Sequence, residues 1–182
     1  MRRRTFLGAL PVGWAVGAGA PAVAMDRPSA GGRTLDRDQW ATLAAVQDHL
    51  LPAEPDNPSA PGAREVSATA YLDRAMAVEG FDPEIRALII DGLGWLDDLA
   101  GRRHGEVFVR LDPGTREGLL QAVAATETGE RWLATLIAYT LEALLGDPLY
   151  GGNPEGIGWR WLGHEPGLPR PTPLTIYGRL GR

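Results

Sequence analysis

The sequence has no cysteine and no lysine, only three histidines, and no lipophilic run free of glycine and proline that is long enough to span a bilayer. Without cysteine there can be no disulfide, thiolate metal site, thiol nucleophile or lipid-modified amino-terminal cysteine. All 18 basic residues are arginine, the formal net charge is −5, and no basic cluster occurs beyond Arg2 to Arg4. Nucleic-acid binding needs a positive footprint, so that class is set aside. His49, His104 and His164 have no second histidine at helical ligand spacing and no carboxylate pattern beside them, which assigns them to surface or capping roles and predicts no metal site. No G-x-S-x-G elbow, G-x-G-x-x-G turn or phosphate-binding P-loop occurs, and Asp97 with Asp98 reads as a solvated pair. The residues predict no catalytic group and no cofactor held by this chain.

What is present starts with an address. "MRRRTFLGALPVGWAVGAGAPAVA" runs from a charged start through an uncharged, glycine-rich stretch to a small-residue end, where Ala22 and Ala24 suit signal peptidase. Arg3, Arg4, Phe6 and Leu7 match the R-R-x-F-L centre of a twin-arginine export signal, with Arg2 and Gly8 as departures from its usual neighbours. That route moves proteins already folded. The expected divisions are a signal over 1–24, a linker over 25–33 and a helical domain over 34–182. Cleavage after Ala24 would leave 158 residues and, with three arginines gone and no acid lost, a formal charge of −8.

The periodicity of the remainder predicts an all-α bundle of about five helices. The first is capped by Asp36 with Gln39 as reciprocal partner, stapled by Leu35 against Trp40, and stopped by Pro52. A four-proline loop over 52–63 leads to a second helix over about 65–79. Asp82-Pro83 and Asp112-Pro113 each pair an N-cap with a proline at the first helical position, opening a third helix that Gly101 should close and a fourth through Val123. Gly92 and Gly94 inside the third suggest close backbone packing or a kink. "GEVFVRL" between them lacks a strand partner and reads as extended loop. The fifth helix, about 129–145, is the most apolar. Its Trp132, Leu133, Leu136, Ile137, Leu141, Leu144 and Leu145 place it at the centre of the bundle.

No helical period continues beyond Gly146. The last 37 residues form a glycine-, proline- and arginine-rich arm that carries Tyr150, Trp159, Trp161 and Tyr177, too aromatic for a disordered tail. "GDPLYGGNPEGIGWRWLGHEPGLPRP" (146–171), preceded by Leu141-Glu142, closely resembles the carboxy-terminal signature of the gluconate 2-dehydrogenase subunit 3 family. "LAAVQDHLLPAE", "PGAREVSATAYLDRAM" and the twin-arginine motif extend the resemblance over the chain in outline.

The resemblance implies the small subunit of a membrane-associated sugar or sugar-acid dehydrogenase. It implies a glucose-methanol-choline type flavoprotein partner that holds FAD and performs the oxidation, and commonly a cytochrome c subunit, with haem c, that takes the electrons. The small subunit would escort the folded flavoprotein through the twin-arginine translocase to the periplasm, at the inner membrane, and stabilise it. A lasting interface needs anchors, and tryptophan, tyrosine and arginine are the usual ones. Tyr150, Asn153, Trp159, Arg160 and Trp161 are therefore the candidate partner interface. Two placements stay open for the arm: along the flavoprotein surface, or folded back over the end of its own bundle. The alternative function is an independent exported helical binding protein or small enzyme with a ligand of its own.

Overall fold

The computed structural model describes residues 32–57 and 59–175, where six α-helices and no strand are found. Arg3, Arg4, Phe6, Leu7, Ala22 and Ala24 lie outside the described residues.

Helix α1 (Arg37–Leu50) begins at the expected capping box: Asp36 accepts from the Asp38 and Gln39 amides, and the Gln39 side chain accepts from the Asp36 amide at 3.0 Å. The proline loop that follows is packed rather than free. Ala60, Ala63 and Val66 are buried, and the Ala63 amide donates to the Leu51 carbonyl at 2.8 Å. Helix α2 (Ala68–Met76) is shorter at both ends than the predicted 65–79. Its start is set by Ser67, whose φ of 58° is left-handed and breaks the preceding turn.

Helix α3 (Pro83–His104) has the predicted Asp82 cap and runs a turn past Gly101. A glycine ends a helix when its backbone turns left-handed, and Gly105, with φ 75°, does so instead. Arg102, Arg103 and His104 thereby fall at the negative end of the helix dipole. Of the two internal glycines only Gly92 is forced. A Cβ there would lie 2.2 Å from Trp132 Nε1, whereas one on Gly94 would touch nothing.

Between α3 and α4 (Pro113–Ala124), Phe108–Arg110 forms a 3-10 turn that buries Phe108. Asp97 holds this turn, because its carboxylate accepts from the Phe108 amide at 2.9 Å and the Thr42 hydroxyl at 2.8 Å. This corrects the reading of Asp97 and Asp98 as a solvated pair: Asp98 is exposed, but Asp97 is half-buried and bonded.

Helix α5 (Glu127–Leu145) touches α1, α2, α3 and α4 and occupies the centre, as its composition predicts. Its inner face buries Trp132, Leu136, Thr140, Ala143 and Leu144. The main core is built on that face from Leu43, Val46, Leu72, Met76, Ile89, Leu93 and Leu96. A buried polar link crosses it: Gln47 donates to the Thr140 hydroxyl at 3.2 Å and accepts from the Thr69 hydroxyl at 2.7 Å, joining α1, α2 and α5. Both ends of the Gln47 amide are thus satisfied, which makes this register of the three helices specific.

One further lock joins the entry of the domain to α2. Asp73, almost fully buried, accepts from the backbone amides of Arg33 (2.6 Å), Thr34 (2.9 Å) and Leu35 (3.0 Å). Three charge-assisted bonds compensate the desolvation of one carboxylate.

Candidate partner-binding surface

The arm is built from short turns around a buried centre of Gly152, Asn153, Gly156 and Gly158, of which Asn153 alone has a side chain to place. The Asp147 carboxylate caps the 3-10 turn Pro148–Tyr150 by accepting from the Leu149 amide, and Gly151 turns the chain back. Asn153 then sits fully buried in the left-handed region (φ 47°, ψ 52°), which asparagine tolerates better than most residues. Its amide nitrogen donates to the Gly146 carbonyl at 2.9 Å, its side-chain oxygen accepts from the Gly158 amide at 2.7 Å, and its backbone N–H donates to the Val66 carbonyl at 3.1 Å. One residue therefore ties the end of α5 and the next helix through its side chain and the loop before α2 through its backbone N–H.

That next helix, α6 (Ile157–Leu162), is an addition to the five expected. Gly158 reads in sequence as a helix breaker, but here it allows contact: a Cβ would lie 2.0 Å from the Leu144 carbonyl oxygen. Trp159, one residue on, lies against α5 and donates its indole N–H to the Leu145 carbonyl at 2.6 Å. The Arg170 guanidinium stands 5.1 Å from the Trp159 ring centre and forms a 3.1 Å ion pair with Asp147, so the chain beyond α6 closes over the tryptophan. Burial alone would raise the Asp147 carboxyl, but the bonds from Arg170 and Leu149 outweigh it and hold the group below the usual aspartate range.

The candidate interface residues therefore divide. Asn153 has no surface left to offer, Trp159 and Tyr150 are half-buried, and Arg160 folds onto the Glu155 carbonyl while staying exposed. Trp161 keeps 38% of its surface and Leu162 52%. The arm through α6 lies on its own bundle.

A further open apolar surface is on α5. Ile137, Leu141 and Leu145, expected in the core, are 42%, 44% and 47% exposed and stand four residues apart on one face. They fall there because the inner face is already filled by Trp132, Leu133, Leu136, Ala143 and Leu144, which leaves no second side of the bundle for them. Ala134 and Ala138, also exposed, lie on the same face. The row from Ile137 to Leu145 is about 12 Å long at the helical rise. A groove beside it is lined by Tyr71, Ala138, Leu141, Glu142, Leu145 and Gly146. Tyr71 Oη donates to Glu142 Oε2 at 2.9 Å, and burial followed by that bond raises the phenol's pKa. The missed signal was the width of the apolar arc: a helix that packs one side needs a single stripe, whereas α5 carries large aliphatics on two.

The histidines are dispersed. His49 Nε2 lies 2.5 Å from Glu117 Oε2, linking α1 to α4 and holding Glu117 below its usual range; His164 meets the edge of the Trp159 ring; His104 ends α3. Among the described residues no three metal-ligating side chains converge, and no helix is long and apolar enough to cross a membrane. The surface can bind through shape and burial, with Glu142 as its one charged lining group.

The sequence model of the gluconate 2-dehydrogenase subunit 3 family matches residues 37–167, which runs from α1 through α6 and into the segment behind Trp159. No curated protein and no solved structure matches the chain.

Proposed function

The chain belongs to the gluconate 2-dehydrogenase subunit 3 family, and from that premise we propose that it is the non-catalytic small subunit of an FAD-dependent dehydrogenase acting on CH–OH groups. In this role it escorts the folded flavoprotein through the twin-arginine translocase and stabilises it on the periplasmic side of the inner membrane. The observation that carries the reading is the union, on one chain, of the Arg3-Arg4-Thr5-Phe6-Leu7 address with a family body that leaves an apolar helix face open. A route that moves folded cargo suits an escort whose partner is already assembled on it.

FAD then belongs to the partner, and haem c to a cytochrome subunit where one takes part. The α5 groove does not fit either group: among the described residues its lining comes from α2 and the carboxy-terminal end of α5, with no helix N-terminus for a pyrophosphate and no histidine or methionine for an iron.

The test is to express the full chain with its flavoprotein partner and to locate dye-linked dehydrogenase activity by cell fractionation, with the native signal and with Arg3→Lys plus Arg4→Lys. Activity that moves from periplasm to cytoplasm in the variant supports the escort role. A flavoprotein exported equally well with the variant signal refutes it.

A further inference from the structure

We infer that the outer face of α5, rather than the tryptophan segment of the arm, is the surface on which the flavoprotein subunit docks, and that its occupant is an amphipathic helix with basic residues beside its apolar stripe. This rests on the escort reading above and names the surface that reading requires.

Three observations carry it. The face is apolar in the pattern of a packing helix: Ala134, Ile137, Ala138, Leu141 and Leu145 recur at three and four residues, yet all five stay exposed among the described residues. Contiguous exposed aliphatics of this kind mark interaction sites. The relief selects a helical partner. Ile137, Leu141 and Leu145 form a ridge, Ala134 and Ala138 leave a hollow beside it, and a second helix seats its own ridge in such a hollow. The groove walls come from α2 through Tyr71 and from α5, both fixed to the core through the Gln47, Thr69 and Thr140 bonds, so the site is preformed.

Charge then specifies the partner's flank. Among the described residues Glu142 is the only charged group lining the groove, it is exposed beyond the Tyr71 bond, and Glu127 and Glu130 stand at the far end of the same helix with Arg131 as their one basic neighbour on that stretch. An acidic rim around an apolar centre is complemented by arginine or lysine. The arm's anchors up to Arg160 are engaged within the fold, since Asn153 is buried, Trp159 bonds Leu145 and meets Arg170, and Arg160 bonds Glu155, while its exposed Trp161, Leu162, Leu168 and Leu174 do not form a row along one long helix. On this assignment Trp161 and Leu162, exposed on α6, lie at most at the edge of the contact.

The experiment uses the full chain co-expressed with the flavoprotein, purified by a tag on the flavoprotein, with capture of the small subunit quantified. Ile137→Arg and Leu141→Arg are expected to lower capture by about tenfold or more, as removal of a central apolar anchor does, with unchanged circular dichroism and melting of the small subunit alone. Trp161→Ala is expected to lower it less than about threefold, as an edge contact does. Wild-type capture by both arginine variants while the native pair co-purifies overturns the α5 assignment and leaves the escort role standing. Failure of the native chain to co-purify at all overturns the escort role itself. Sedimentation that shows the isolated chain to be a dimer, dissociated by Leu141→Arg, gives the face to a second copy and overturns the inference. Flotation of the isolated chain with phosphatidylglycerol vesicles, abolished by the same variant, does so in favour of a lipid surface.

Discussion

The two faces of α5 are alike in composition and opposite in fate. Trp132, Leu136 and Leu144 on one side are buried among five helices; Ile137, Leu141 and Leu145 on the other keep nearly half their surface. Both were laid down with large aliphatics at helical spacing, so hydrophobicity alone does not say which will lie inside. The number of neighbouring helices does. The described elements enclose one side of the central helix, and the surplus apolar side faces outward among them.

The sharpest way to break this contrast is to truncate each face in turn. Trp132→Ala removes a ring that fills the core and caps the Ile89 carbonyl with its N–H, and should lower stability by ~3–5 kcal/mol in denaturant titration. Leu141→Arg on the isolated chain should stay within about 0.5 kcal/mol of wild type, as exposed substitutions do. Equal losses from both would mean that the outer face is covered within the chain. The arm comes next. Asn153→Ala removes two buried hydrogen bonds at a left-handed position and should loosen the arm by ~2–3 kcal/mol. Trypsin cleavage at Arg160 reads this out, and Asn153→Gly, which accepts the backbone but not the bonds, should fall between. Cleavage unchanged in both variants would show that the arm is held from elsewhere.

The smallest effect is acid-dependent. Because the folded state holds the Asp147 carboxyl below its ordinary value of 3.8, the clamp on Arg170 contributes fully above that value and is lost as pH falls through the lower folded one. Hydrogen-exchange protection over 164–175, corrected for the intrinsic pH dependence of amide exchange, should therefore be flat from neutrality down to the usual aspartate range and fall below it. Asp147→Asn should show the lowered protection at every pH.

Local signals were legible and tertiary ones were not. The Asp36 box and the Asp-Pro starts of α3 and α4 were readable because a cap depends on residues within one turn. Helix α6 was not, since Gly156 and Gly158 look like breakers until the Leu144 carbonyl is seen pressed against the second. Asp97 looked solvated beside Asp98 because its partners, Thr42 and Phe108, come from other elements. The candidate interface was sought among the aromatic anchors of the arm. Of the residues named there Asn153 is buried, Tyr150 and Trp159 are half-buried, and Arg160 and Trp161 stay exposed, while a further open surface lies on the helix expected to be wholly core.

Asp73 has a consequence of a mechanical kind. Tension applied to the chain from its amino-terminal side enters the folded body at Arg33, Thr34 and Leu35, whose three amide bonds converge on one carboxylate and so share the load rather than opening one by one. From Asp73 the strain passes into α2, and through the Thr69 and Gln47 bonds into α1 and α5. On the proposed route the point of traction and the docking face belong to one braced unit, and a subunit seated on α5 would be towed through α2, whose Asp73 holds the entering chain.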